Sequence, residues 1–206
     1  MWASVVLRFF SCRIPVFKRP EMNKKTISAT IINASKDLFH KNGYPATSVE
    51  NIVSEAGISN SEFEELFESK EQVCLKVLKS YAQDVKRRFK KYDENDNTRQ
   101  RLSMLLDAYY DDAENIASHG CPVFNLYFDR RNMDNELFET VEEILATQHE
   151  WIDEQFITML KSESAVDQGD RLMAAISGLL LLAKLKNDPQ MFKNQIIQLR
   201  SWIRSM

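Results

Sequence analysis

His149 and Asp153 are the residues whose types and spacing come nearest to a chemical site. They lie four residues apart, so on a helix they would share one face and could hold a metal ion together. No third ligand is evident in the sequence, and we interpret them as a solvated or hydrogen-bonded pair. We therefore expect no metal site.

A second candidate for chemistry is the pair His119 and Cys121, which flank Gly120 and could form a redox-sensitive thiol with its neighbour. A free cysteine packed under a helix end is the simpler interpretation. The chain has no phosphate-binding glycine loop of the GxGxxG or GxxxxGK type and no GxSxG nucleophile turn. We expect no catalytic residue, no cofactor and no enzyme activity.

The composition predicts a helical protein. The chain has 206 residues, of which 44% are hydrophobic and 28% charged, values that exclude disordered, collagen-like and membrane-embedded proteins. Gly and Pro occur only five times each, too few for the turns of a sandwich or barrel. The net charge of −3 means that any DNA contact must be local. Three cysteines without a CxxC pair indicate reduced thiols and a cytoplasmic location.

Residues 1–22 differ from the rest of the chain because they carry four basic residues against the single acid Glu21. Their longest uncharged run is far shorter than the ~20 residues of a membrane helix, and they lack the apolar core of a secretory signal. A transit peptide is one interpretation. A disordered extension, with Met22 as the functional start, is the one we adopt, and no membrane partner is expected.

The next segment has the pattern of a helix-turn-helix. Apolar residues at spacings of three and four predict a first helix that Gly43 ends. Thr47 or Ser48 can cap a short second helix, which stops at Gly57, and Ser59 opens a short third helix. Two short helices joined by a turn that contains glycine are typical of this motif.

The rest of the chain also reads as helices. Ser69 can cap a fourth helix, the polar segment 93–98 breaks the chain, and 120–122 interrupts it again. A long helical tract is predicted over 134–163, and Gly169 marks a turn. No segment alternates with a period of two, so the predicted fold class is all-α.

The segment 29–59 and the stretch 67–71 resemble the amino-terminal domain of tetracycline-repressor-like (TetR/AcrR) transcription regulators. In the carboxy-terminal half, GCPVFNL at 120–126 and the GLLLLAK run before Pro189 resemble stretches of some members of the same family. The resemblance covers about 24–205. The positions that match in order and spacing are Ala34, Phe39, Gly43, Tyr44, Thr47, Ile52, Ala56, Gly57, Ser59, Phe67, Lys70 and Glu71.

The resemblance implies a three-helix DNA-binding domain at 23–70 and a larger helical domain at 71–206 that binds a small molecule and dimerises through its last two helices. It implies a homodimer on a palindromic operator, most simply a repressor that an unknown small-molecule effector releases. The residues that it places on DNA, together with two basic residues from the N-terminal region, are Lys24, Lys25, Thr47, Ser48, Ser59, Asn60, Ser61 and Lys70.

The third helix departs from the family. The window 62–71 holds five glutamates against Lys70, and Glu64 stands where the family has a phosphate-contacting tyrosine. Carboxylates oppose binding to the phosphate backbone. Glu62, three residues after Ser59, can instead close a capping box. The alternative function is a dimer of the same fold that has weakened or lost DNA binding and whose acidic third helix binds a protein.

A ligand cavity and a dimer interface complete the predictions. Aromatic side chains with polar tips suit a small-molecule cavity, and the candidates are Tyr109, Tyr110, Phe124, Asn125, Tyr127, Phe128, Trp151 and Phe156. Residues 171–186 are apolar on nearly every face, which indicates burial on all sides or an oligomer interface. The predicted interface residues are Leu179, Leu180, Leu182, Ile196, Leu199 and Ile203.

Overall fold

The computed structural model describes residues 23–129, 134–162 and 165–206, and in these ranges it is built of helices with no strand. The all-α prediction is confirmed. The prediction for residues 1–22 lies outside the described residues. The helices are α1 (Lys24–Asn42), α2 (Val49–Ala56), α3 (Asn60–Glu64), α4 (Lys70–Asp93), α5 (Thr98–Asp111), α6 (Ala113–His119), α7 (Pro122–Phe128), α8 (Asn135–Leu160), α9 (Ala165–Lys186) and α10 (Pro189–Ser205).

Side-chain caps begin the helices of the N-terminal part. Ser48, Ser59 and Ser69 each accept a hydrogen bond from a backbone N–H three residues ahead, which satisfies a donor that has no partner within the helix. Gly57 ends α2 in the left-handed conformation, with φ of 61°, where a residue with a Cβ would be strained. Local chemistry thus sets the boundaries of the helix-turn-helix.

The first three helices, which we call the head, pack on the first half of α4. Ile31, Phe39, Ile52 and Phe63 bring the three helices of the head together in its core. The helices α4–α10, which we call the body, surround a second set of buried residues, and α4 contributes to both. The core is continuous, so α4 is the element that connects the head to the body.

The turn predicted at Gly169 is wrong, because Gly169 lies inside α9. The long helix α8 ends at Leu160, and Lys161 leaves it in the left-handed conformation with φ of 50°. Gly169 is needed for a close helix crossing instead. A Cβ there would overlap the carboxylate of Asp153 and lie 3.3 Å from its Cα. Because glycine has no Cβ, α9 can approach α8 closely at this point. Helix packing, and not a turn, therefore requires the glycine.

Candidate nucleic-acid interface and ligand cavity

The short helix α3 is held in place by two phenylalanines on its inner side. Phe63 and Phe67 are nearly fully buried, and their ring centroids lie 5.8 Å apart. Asn60, Ser61 and Glu64 on the other side are exposed. This arrangement presents a polar surface from a helix that the head core anchors.

Two of the predicted DNA-binding residues, Ser48 and Ser59, lie exposed as helix caps. Ser48 caps α2 in a capping box with Asn51, and Ser59 caps α3 in a capping box with Glu62. The Glu62 carboxylate accepts a hydrogen bond of 2.7 Å from the Ser59 backbone N–H and lies 2.8 Å from its hydroxyl. Glu62 is therefore engaged at the helix start, as the capping interpretation predicts.

Lys24 and Lys25 are exposed at the start of α1. The ammonium of Lys24 lies 3.2 Å from the carboxylate of Glu65, and both side chains are largely exposed. The ion pair places a lysine against the end of α3 and partly offsets the acidic character of that helix. Glu64 has no such cationic neighbour among the ion pairs of the described residues.

Two of the side chains predicted to contact DNA are engaged in hydrogen bonds within the protein. Thr47 is 1% exposed, and its hydroxyl donates to the Gly43 carbonyl at 2.8 Å, so this side chain belongs to the turn before α2. The ammonium of Lys70 donates to the carbonyls of Tyr44 and Thr47, each at 3.0 Å, and lies 4.2 Å from the centre of the Tyr44 ring. Lys70 thereby joins α4 to the turn between α1 and α2 instead of reaching outward.

Tyr44 is the centre of this junction. Its hydroxyl donates to Glu71 at 3.0 Å, and burial, followed by this hydrogen bond, raises its pKa well above the usual value. The pKa of Glu71 is lowered, chiefly by a backbone hydrogen bond at the start of α4, with smaller contributions from Ser69, Tyr44 and Lys70. The carboxylate therefore stays ionised and keeps the phenol in place.

Comparison with known proteins agrees with this geometry. A model of the family described as bacterial regulatory proteins, tetR family, matches residues 31–77, which span the head and the start of α4. An uncharacterized HTH-type transcriptional regulator in the lacX 3' region of Lactococcus lactis subsp. lactis is 26% identical over 171 residues, which cover 81% of this chain and 87% of that protein.

Solved structures extend the likeness over the body. A TetR-family transcriptional regulator from Agrobacterium tumefaciens has a TM-score of 0.79 at 17% identity, covering 87% of this chain and 98% of that one. A TetR transcriptional regulator from Legionella pneumophila has a TM-score of 0.76 at 19% identity, covering 91% and 98%. The match to the tetR-family model is thus confined to the head and the start of α4, and the shared fold extends over most of the chain.

A cavity of about 420 Å³ lies in the body between α4, α5, α6, α7 and α8. We call it the core cavity. Tyr109 and Phe124, two of the candidate ligand-binding residues, line it, and the Tyr109 hydroxyl donates to Gln148 at 3.1 Å. Gln148 itself is 9% exposed. Other side chains that line the core cavity include Val85, Ile116, Val123, Ile144 and Leu145.

Sequence reasoning missed the polar residues of this cavity. Gln148 lies on the apolar stripe of α8 between Ile144 and Ile152, and a polar residue at such a position is the signal that could have found it. Arg88 also lines the cavity, but it lies in the strongly basic run 86–91, where nothing in the sequence distinguishes it from the basic residues beside it. Cys121 lines the same cavity, and burial raises the pKa of its thiol, which opposes a reactive thiolate.

Four predicted cavity residues line neither this cavity nor the cleft described below. Trp151 stacks on Phe89 with ring centroids 4.4 Å apart, and its indole N–H donates to Asp93 at 3.1 Å. Phe156 is fully buried against Trp202. Tyr110 lies beside Lys193, and Tyr127 packs on Phe138 near the surface. These aromatic residues serve the packing of the body.

The residues predicted for the dimer interface differ in how far they are exposed in a single chain. Leu180, Ile196 and Ile203 are at most 2% exposed in a single chain, so they belong to its own core. Leu179 and Leu199 are half-buried, whereas Leu182 is 41% exposed. Leu181, Leu182 and Leu185 in the second half of α9 and Ile197 on α10 are exposed apolar side chains, and we call these four the exposed leucine face.

His149 lies between two carboxylates. Its Nε2 is 2.9 Å from Asp170 and 3.7 Å from Asp153, so the sequence neighbours do share a helix face and α9 adds a third group. In the described ranges, no cluster of three or more potential ligands could hold a metal ion. Within the same ranges, no helix combines the length and apolar character that crossing a membrane requires.

Proposed function

We propose that this protein is a homodimeric transcription regulator that binds a palindromic operator and releases it when a small molecule occupies the core cavity. The observation that carries the proposal is a capped helix-turn-helix with exposed polar residues at the starts of α2 and α3, within the segment that matches the tetR-family model. Backbone N–H groups at helix starts and hydroxyl side chains are suited to phosphate oxygens.

The glutamates of the acidic third helix differ in how strongly they oppose DNA binding. Glu62 is engaged in the capping box and Glu65 pairs with Lys24, which leaves Glu64 as the carboxylate that most directly opposes phosphates. A carboxylate can also accept a hydrogen bond from cytosine N4 in the major groove. Proposed DNA contacts are Lys24, Lys25, Ser48, Ser59, Asn60 and Ser61.

The exposed leucine face supports the dimer. Apolar side chains clustered on the outer surface of two adjacent helices are the kind of surface that a subunit contact covers. Two copies related by a two-fold axis would bury the same face and present two heads, which matches a palindromic site.

A second function is favoured by the charge of the head. Residues 23–70 hold five lysines against seven carboxylates, a net charge of −2, and Glu64, Glu65 and Glu68 are all exposed. A basic protein surface would complement this charge. In that case, the fold is kept for dimerisation and α3 binds a protein partner in place of DNA.

Selection of duplexes from a random pool by the full chain tests the two functions. Under the proposal, a palindromic consensus is enriched, its affinity falls steeply with salt, and Glu64→Gln strengthens binding by removing a charge that faces phosphates. Glu55→Gln, an exposed change on α2, is the matched control. Absence of any enriched sequence, at low salt and with Glu64→Gln, would contradict operator binding and favour the protein-partner function.

A further inference from the structure

A second cavity lies where the head meets the body. It has a volume of about 530 Å³ and is bounded by the end of α1 and the following turn on one side, and by α7 and α9 on the other. We call it the head–body cleft. A volume of this size is in the range of small-molecule sites. It differs from the core cavity in its charged side chains and in most of the residues that line it.

Two hydrogen bonds hold the walls of the cleft together. His40 Nε2 lies 2.7 Å from the carbonyl oxygen of Gly120, so this nitrogen carries the proton that the carbonyl accepts. The backbone N–H of Tyr44 donates to the Asp129 carboxylate at 3.3 Å. A molecule in the cleft would therefore touch both the head and the body, beside the two hydrogen bonds that already join them.

Lys184 is the distinctive charge of the cleft. Its ammonium donates to the side-chain oxygen of Asn125 at 3.0 Å, and the Asn125 amide in turn donates to the His119 carbonyl at 2.7 Å. Within the described part of the chain, Lys184 takes part in no ion pair with a carboxylate. A neutral amide thus orients the ammonium without neutralising its charge.

Gly120 makes this arrangement possible. A Cβ at Gly120 would lie 2.7 Å from the Asn125 side-chain oxygen and 2.8 Å from Cδ of Lys184, closer than real contacts allow. The residue also has φ of 83°, which favours glycine. The lysine therefore crosses directly over the backbone of the loop before α7 to reach the cleft.

The lining defines the chemistry of a ligand. Lys41 adds a second exposed cation, whereas the carboxylate of Asp129 is already accepting the Tyr44 N–H. Phe124, Phe128 and Leu180 supply an apolar wall, and Phe128 is 63% exposed. We infer that the head–body cleft is a binding site for a small organic monocarboxylate, with its carboxylate at Lys184 and an apolar ring against Phe128.

This site goes beyond the proposed function and does not depend on DNA binding. Its test uses 1-naphthaleneacetate and its uncharged relative 1-naphthaleneacetamide, titrated calorimetrically into the full chain. We expect the carboxylate to bind at least roughly tenfold more tightly than the amide, because a charge-assisted hydrogen bond is stronger than a neutral one.

Matched variants locate the site. Lys184→Gln should abolish the preference for the carboxylate, whereas Lys186→Gln, an exposed change outside the cleft, should keep it. Ala46→Trp, at an exposed position of the cleft, should block binding, whereas Leu145→Trp fills the core cavity and should leave binding intact. Circular dichroism checks that each variant is folded.

Three results would overturn the inference: no binding of either compound to the unaltered chain, an unchanged preference in folded Lys184→Gln, or loss of binding in folded Leu145→Trp but not in Ala46→Trp. The last result would assign the carboxylate to the core cavity. Duplex selection with the same chain reports on the proposed function separately, so the two failures are distinguishable.

Discussion

At the scale of single residues, Lys70 illustrates how a charge can be used inside the protein. Its ammonium donates to two carbonyls of the turn between α1 and α2, and it lies over the Tyr44 ring. A lysine at the start of a helix near a nucleic-acid surface suggests a phosphate contact. The geometry gives it a structural role in holding α4 against the head.

We expect Lys70→Gln to lower the free energy of unfolding by about 2 kcal/mol, because hydrogen bonds from a charged donor are lost in a half-buried place. Chemical denaturation measures the change, and Lys76→Gln, an exposed lysine of the same helix, should have little effect. If stability is unchanged while the salt slope of DNA binding falls by about one, Lys70 contacts a phosphate instead.

Glu71 provides a prediction on pH. Its pKa is lowered in the folded protein, so the stabilisation is fully present above its unfolded pKa of about 4.3 and is lost as the pH falls through the folded value. The effect should be below about 1 kcal/mol, because the side chain is exposed.

The test compares the unaltered chain with Glu71→Gln, which cannot titrate. The difference between their free energies of unfolding should be constant from pH 7 to about pH 5 and shrink in acid. A difference that stays the same down to about pH 3 would show that ionisation of Glu71 does not stabilise the head.

At the scale of elements, α9 has two glycines with opposite surroundings. Gly169 faces Asp153 of α8 at close range, whereas a Cβ built on Gly178 meets no described atom within 4 Å apart from its own stretch of helix backbone. Both are inside the helix, where alanine is favoured over glycine by about 1 kcal/mol. Packing alone therefore separates the two positions.

We expect Gly169→Ala to destabilise the protein by about 1–2 kcal/mol, since the overlap with Asp153 outweighs the gain in helix propensity. Gly178→Ala is the matched control and should leave stability equal or higher. Thermal unfolding followed by circular dichroism measures both. A more stable Gly169→Ala variant would mean that α8 and α9 separate without cost.

At the scale of the whole molecule, the exposed leucine face is the surface that we propose for the contact between subunits, and it differs from the core of one chain in its exposure. Leu185 is 76% exposed and Leu181 is 56% exposed, whereas Leu180 beside them is 2% exposed. A charge introduced at Leu185 alters only the outer surface, whereas a charge at Leu181 also lies at the edge of the head–body cleft. A charge at Leu180 enters the core.

Leu181→Asp and Leu185→Asp should each give folded monomers, because a desolvated carboxylate in the proposed contact is costly. Leu180→Asp should unfold the chain. Sedimentation velocity and circular dichroism separate these outcomes, and Ile157→Asp, an exposed apolar residue of α8, is the control. A protein that remains dimeric with both substitutions in α9 would place the interface elsewhere.

The amino-acid sequence by itself determined the helices and most of their ends. Ser48, Ser59 and Ser69 begin helices and Gly57 ends one, because capping depends on a few neighbouring residues. The likeness of the helix-turn-helix to its family is read from the same local pattern. The failure at Gly169 has the opposite cause, since a glycine required by a helix crossing looks identical in sequence to one required by a turn.

Only the tertiary structure decided which side of each helix is covered. The run 179–182 is leucine throughout, so no contrast in hydropathy tells the buried Leu180 from the exposed Leu181 and Leu182. The sequence around Thr47 and Lys70 likewise gives no sign that the hydroxyl of Thr47 and the ammonium of Lys70 donate hydrogen bonds to backbone carbonyls of the turn before α2. Burial and hydrogen bonding depend on segments far apart in the chain, and packing alone brings those segments together.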